Sequence, residues 1–263
     1  MPIAKVRDME MFYEEHGTGD PLLLIMGLGG NLDWWGDPFL QALAVHYRVI
    51  AFDNRGVGRS QQVETGYTIA EFADDSVALL DALHIPQAHI LGISMGGMIA
   101  QEIALQHPEH VVKLILVATN CGGRMAIPAE SHVLEMLDRR NTTVEESKSR
   151  LMQVLFPHDF IESNADFIHE NWKQVTKKPT ADVTFGRQLL AIRAWSSCDR
   201  LSQLSMPTLI VHGSADILIP PANAKLLAQH IAHATLQLIE GAGHGINAQK
   251  PIETAKVIVD FLQ

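Results

Sequence analysis

Cysteine is almost missing from this chain of 263 residues: Cys121 and Cys198 are the only two. A pair cannot supply the disulfide framework of a small secreted domain, and no zinc-type spacing is present. The simplest expectation is two free thiols in a reducing cytoplasm. A basic excess is lacking as well. The formal charge is −10, whereas binding phosphate backbones requires clustered Lys and Arg, so nucleic acid is not an expected partner. A small anionic substrate stays open, because one local arginine suffices for it. Long apolar runs are also lacking. The strongest, 22–26, is far too short to span a bilayer, and the opening 1–8 has no apolar stretch of signal-peptide type. A soluble, cytoplasmic protein with no membrane partner is expected. There are no internal repeats or low-complexity tracts.

What is present is an ordinary globular composition, 47% hydrophobic and 19% charged, in a chain long enough for one large core. Short apolar runs alternate with longer amphipathic segments, which predicts an α/β fold: a mostly parallel sheet with helices on both faces. Runs at 3–7 and 11–15 predict an opening antiparallel pair. Continuous apolar runs at 22–26, 49–52, 88–93, 114–118, 208–212 and 236–239 predict strands buried on both faces. Thr68-Ile69-Ala70-Glu71 has the capping-box pattern and opens a helix; the last helix is predicted over 251–262. The alternation fails over 122–195, where only helical patterns occur, with a second capping box at Thr143-Val144-Glu145-Glu146. We therefore expect a core of residues 1–121 and 196–263, with 122–195 inserted as a helical lid of about four helices.

The motif that carries chemistry is Gly92-Ile93-Ser94-Met95-Gly96. It follows an apolar strand and precedes a helical segment, so Ser94 sits at the apex of a sharp turn that exposes its hydroxyl. Glycine two residues to either side removes the clash that such a turn creates. A serine nucleophile needs a base and an acid that orients it. Of thirteen histidines, His244 follows the last strand in a glycine-rich loop, Gly241-Ala242-Gly243-His244-Gly245. Asp216 follows the strand before it, in His212-Gly213-Ser214-Ala215-Asp216. The candidate catalytic set is thus Ser94, Asp216 and His244, with His212 read as a packing residue. The backbone amides of Met95 and of Leu28, in Met26-Gly27-Leu28-Gly29-Gly30, are the candidate oxyanion donors.

These motifs resemble the α/β-hydrolase superfamily over essentially the whole chain. The elbow Gly92–Gly97 carries the likeness, as do Asp53-Asn54-Arg55-Gly56-Val57-Gly58-Arg59-Ser60 and the two late loops. The resemblance implies that Asp53, Arg55 and Ser60 brace the core. The loop after the first buried strand is similar to that of 3-oxoadipate enol-lactonases, small bacterial carboxylesterases and cofactor-free haloperoxidases, although Met26 stands where many relatives have histidine. Relatives that open epoxides or carbon–halogen bonds use an elbow aspartate, so Ser94 points to acyl transfer instead. A carboxylic ester or lactone is the expected small-molecule substrate, with no metal or cofactor required. A carbon–carbon bond hydrolase, a perhydrolase and a ligand-binding receptor are the alternatives. Trp34, Trp35 and Ile246 are candidate pocket residues, as are Trp172 and Trp195. Arg187 and Arg193 are candidate partners of a substrate carboxylate. The oligomeric state is not legible.

Overall fold

The computed structural model describes residues 2–138 and 142–263. Eight strands form one sheet: β1 (Ile3–Val6), β2 (Met9–His16), β3 (Pro21–Ile25), β4 (Arg48–Phe52), β5 (Ala88–Ile93), β6 (Val111–Val117), β7 (Thr208–Gly213) and β8 (Ala234–Ile239). Their spatial order is β1-β2-β4-β3-β5-β6-β7-β8. The pairings β1–β2 and β2–β4 are antiparallel, and all the others are parallel. This is the α/β architecture expected from the alternation of apolar runs and amphipathic segments.

The chain leaves β3 for β4 on one side and then returns to β5 on the other. That reversal is a topological switch point between β3 and β5, and it is outside the carboxyl ends of strands at such points that open parallel sheets receive ligands.

Helices α1 (Asp37–Ala44), α2 (Ile69–Ala82) and α3 (Met95–Gln106) connect the first strands. Between β6 and β7 lie α4 (Ser131–Glu135), α5 (Val144–Leu155), α6 (His158–Ser163), α7 (Ala165–Val175) and α8 (Asp182–Ala194). Then come α9 (Ala222–His230), α10 (Ile246–Gln249) and α11 (Pro251–Leu262). The segment over 122–195 therefore carries five helices among the described residues rather than about four, because Pro157 and Asn164 each interrupt a helical run. Both capping-box patterns open helices: the Thr68 hydroxyl accepts from the Glu71 amide, and Thr143 and Glu146 cap each other reciprocally.

Alternate residues of the central strands feed two cores. Leu23, Ile25, Ile90, Leu114 and Leu116 face α2, α3 and α9; Leu22, Leu24, Leu91, Ile115 and Val117 face α1 and α11. A strand with partners on both faces gains nothing from polar alternation, hence the unbroken apolar runs. The edge strand β8 differs, with every second residue more exposed, and was not legible as such from its apolar run.

One expectation is overturned. Cys121 and Cys198 are not free thiols but a disulfide, with Cα atoms 5.0 Å apart. The chain enters the helical segment just after Cys121 and leaves it just before Cys198. The two ends lie side by side through a Gly122–Ser196 bridge and the Ser197 amide, which donates to the Cys121 carbonyl at 2.8 Å. Sequence spacing cannot reveal that closeness, and the disulfide removes the free-thiol argument for a reducing compartment. Among the described residues no helix is long and apolar enough to cross a membrane.

The Asp53–Ser60 loop ties the sheet to its surroundings. Asp53 accepts from the amides of Leu32 and Arg59, both at 2.7 Å. Arg55, 2% exposed, is held between Asp75 and Asp8. The Ser60 hydroxyl donates to the Asp53 carbonyl and accepts from the Phe12 amide.

Candidate active site

Ser94 lies at the end of β5, directly before α3, with φ 57° and ψ −120°. This left-handed region costs a non-glycine residue about 1–3 kcal/mol and persists only where the surroundings over-determine it. They do so here. The Ser94 amide donates to the Val117 carbonyl at 2.9 Å, while its own carbonyl accepts from the Thr119 hydroxyl at 2.7 Å and the Gly97 amide at 2.9 Å. The flanking glycines are required by close approach. A Cβ at Gly92 would run into the Gly96 carbonyl, and one at Gly96 into the Ile25 carbonyl at the end of β3.

The loop after β3 stands against the serine. A Cβ on Gly27 would lie 3.0 Å from the Ser94 Cβ and 3.1 Å from the Ile93 carbonyl. Its ends are fixed from the core: Asn54 Nδ2 donates to the Met26 carbonyl at 3.1 Å, and the Leu32 amide donates to Asp53. Leu28 is half-buried at its crest.

Asp216 and His244 reach the same sheet edge from β7 and β8. The His244 Nδ1–Asp216 Oδ2 distance is 2.8 Å, and Asp216 Oδ1 accepts from the Leu218 and Ile219 amides, each at 2.9 Å. Because the carboxylate can only accept, the proton of neutral His244 belongs on Nδ1, which leaves Nε2 as the acceptor. Burial opposes ionisation of Asp216, but the attraction of His244 and the hydrogen bonds from His212 and His244 outweigh it, holding the carboxyl below the usual range. The two loops are also joined directly, the Ala215 amide donating to the Ala242 carbonyl at 2.9 Å. The end of α5 closes over the histidine loop. The Gly245 amide donates to the Leu155 carbonyl at 2.8 Å, and a Cβ at Gly245 would meet the Phe156 ring at 2.8 Å.

Of the pocket candidates, Trp34 is half-buried against the loop after β3, 3.1–3.2 Å from where a Cβ on Gly30 would lie. Trp35 and Ile246 belong to the core instead. Trp35 is 1% exposed and stacks on Phe39; Ile246 is fully buried beside α11. Trp172 packs with Met152, Phe156 and Ile168. Trp195 donates to Glu102 at 2.7 Å, at the base of the helical segment. The Arg187 guanidinium lies 5.2 Å from the Tyr67 ring centroid and donates to the Val63 carbonyl at 3.0 Å, and Arg193 is exposed.

Residues that sequence reasoning missed also converge here. Fully buried His212 is no mere packing residue. Its Nε2 lies 2.8 Å from the Ile219 carbonyl and 3.3 Å from Asp216 Oδ2. Gln188 and Thr180, from the helical segment, bond to Gly29. No local signal marks either of these two, because their partner lies more than 150 residues away. Among the described residues, no three His, Cys, Asp or Glu side chains group as a metal site.

Comparison with known proteins agrees with this architecture. The sequence profile of the alpha/beta hydrolase fold matches residues 20–251. The chain is 30% identical to the "Putative carbamate hydrolase RutD" of Azorhizobium caulinodans, covering 99% of this chain and 98% of that one. It is 33% identical to the poly(3-hydroxyalkanoate) depolymerase of Ectopseudomonas oleovorans, over 92% of this chain and 84% of that one. Among solved structures, the enol-lactonase of Burkholderia xenovorans superposes with a TM-score of 0.88 at 26% identity, covering 99% of both chains.

Proposed function

Because the chain belongs to the alpha/beta hydrolase fold family, we propose that it is a serine hydrolase that opens a small carboxylic ester or lactone through an acyl-Ser94 intermediate. The observation that carries this reading is the buried Asp216–His244 pair, 2.8 Å apart, at the same sheet edge as a serine held at φ 57°. In this mechanism His244 Nε2 takes the Ser94 proton as Oγ attacks the carbonyl carbon. Asp216 fixes the tautomer and balances the imidazolium. The amides of Met95 and Leu28 receive the oxyanion. Collapse expels the alkoxide, which takes the proton from His244. A water activated by His244 then releases the acid and restores Ser94. The segment 122–195 serves as a lid over this site, and residues 1–121 and 196–263 form the catalytic core.

The 30% identity to a carbamate hydrolase over 99% of the chain favours a second reading, in which the acyl carbon bears nitrogen instead of carbon. Both readings are tested by one experiment. Aryl esters of short, medium and long acids and an aryl carbamate are compared for wild type and Ser94→Ala, with intact mass recorded during turnover. The expected result is a loss in kcat of about 10⁴-fold or more in the variant, and an adduct on the wild type alone. The faster substrate class, and the mass of its adduct, separates ester from carbamate. Activity surviving in Ser94→Ala overturns the mechanism.

A further inference from the structure

The loop after β3 is held at its ends by the core but at its middle by the helical segment. Gly29, at φ 69°, is gripped on both sides of its peptide backbone: its amide donates to Gln188 Oε1 at 2.8 Å, and its carbonyl accepts from the Thr180 hydroxyl at 2.8 Å. Two further bonds run alongside. Asn31 Nδ2 donates to the Lys178 carbonyl at 2.9 Å, and Trp34 Nε1 donates to the Val175 carbonyl at 3.1 Å. Gln188 is fully buried and Thr180 is 6% exposed.

Gln188 is a costly residue to bury there. Its Nε2 has no hydrogen-bond partner among the described residues. An orphaned buried donor costs about 1–3 kcal/mol, which an apolar residue of similar length would avoid. Rotating the carboxamide gives no relief, because it would set an N–H against the Gly29 N–H. What the position retains is one acceptor at one place. Such a bond fixes the plane of the peptide joining Leu28 to Gly29, and that plane follows directly on the Leu28 amide.

We infer that Gln188 and Thr180 are positioning residues that set the Leu28 amide for the oxyanion by clamping Gly29, so that the helical segment completes the oxyanion hole as well as covering it. This rests on the reading of Leu28 as an oxyanion donor. An amide aimed at the developing charge stabilises the transition state more than the bound ester, and a displacement of about 1 Å costs on the order of 100-fold in rate. Loss of the clamp should therefore fall on kcat and spare KM.

The test compares Gln188→Met, which keeps length and removes the acceptor, with Thr180→Val, its conservative counterpart Thr180→Ser, and the double variant Gln188→Met/Thr180→Val. Val183→Ala serves as control with kcat expected at the wild-type level, since Val183 lies on the same helix but is 60% exposed. Aryl-ester turnover, thermal unfolding and inhibition by an aryl trifluoromethyl ketone are measured for each. That ketone adds Ser94 Oγ to its carbonyl carbon, sends the hydroxyl proton to His244 and leaves an oxyanion in the hole. Gln188→Met and Thr180→Val are expected to lower kcat by about 10- to 100-fold with KM changed less than about twofold. Ketone inhibition should weaken by the same factor as kcat. Thr180→Ser should recover most of the rate, and the double loss should be smaller than the product of the single losses, because both bonds act on one residue. Full kcat in folded Gln188→Met, or a loss confined to melting temperature or KM, overturns the clamp. Ser94→Ala, run in parallel, separates the two failures. If it stays active, the serine mechanism fails; if it is inactive while Gln188→Met is unimpaired, only the clamp fails.

Discussion

At Asp216 the two carboxylate oxygens carry different duties. Oδ1 holds its own loop through two backbone amides, while Oδ2 faces two imidazoles, His244 at 2.8 Å and His212 at 3.3 Å. His212 Nε2 must carry a proton, because the Ile219 carbonyl beside it can only accept. Replacing His212 with Phe keeps the bulk but strips a donor from that carbonyl and from Oδ2. The expected cost is about 1–3 kcal/mol in urea unfolding, with Ser94 still able to form an acyl adduct. A stability unchanged within error would return His212 to simple packing. From sequence the histidine looked inert, because the end of a buried strand is where packing residues stand, and its partners belong to the folded loop. The Ser94 turn was legible for the opposite reason: Gly92 answers to a clash with Gly96 inside the same five-residue motif, although the Ile25 carbonyl that also requires Gly96 comes from a distant strand.

Elements tell a related story at the base of the helical segment. Helix α3, which follows directly on Ser94, presents Gln101 and Glu102 to that base. Ser197 donates to Gln101 Oε1 at 2.7 Å, and Glu102 accepts from Trp195 and from both terminal nitrogens of Arg200. The disulfide closes a loop with a sequence separation of 77. Chain-entropy arguments assign such a closure about 4.5 kcal/mol at most. The Cys121→Ala/Cys198→Ala double variant should therefore melt roughly 5–10 °C lower by calorimetry. An unchanged melting temperature would mean that the hydrogen bonds alone hold the base. None of this was readable beforehand. Cysteine spacing carries no pairing information, and a helical pattern shows where an insertion begins but not how its ends meet.

Across the whole molecule, the buried carboxyls divide by sign: desolvation raises Asp53 and Asp75, whereas Glu102 and Asp216 are lowered and lose stabilisation in acid. Burial works against ionised Glu102, but its hydrogen bonds from Arg200 and Trp195 prevail and lower it from its ordinary value. Asp216 is lowered in the same sense. Both groups bind protons less readily folded than unfolded. Their stabilisation is complete above about pH 4–5, where unfolded carboxyls are ionised, and is lost as pH falls through the depressed values. Glu102→Gln should start from a lower urea midpoint than wild type, and its midpoint should fall less steeply than that of wild type below that range. An identical slope in the variant would remove Glu102 from the account. At this scale the sequence was most informative. The apolar runs of β3, β5, β6 and β7 announce a sheet covered on both faces, because burial dictates composition residue by residue. The clamp on Gly29 stayed hidden, since its two halves meet only once the whole chain is folded.

The 5.0 Å gap between the Cα atoms of Cys121 and Cys198 also makes the molecule modular. A short turn can bridge that distance, so the sheet and its flanking helices form a continuous chain with or without what lies between. Exchange of the intervening piece leaves the strand order intact. On the inference that Gln188 and Thr180 clamp Gly29, any replacement must bring its own means of holding that one glycine in place.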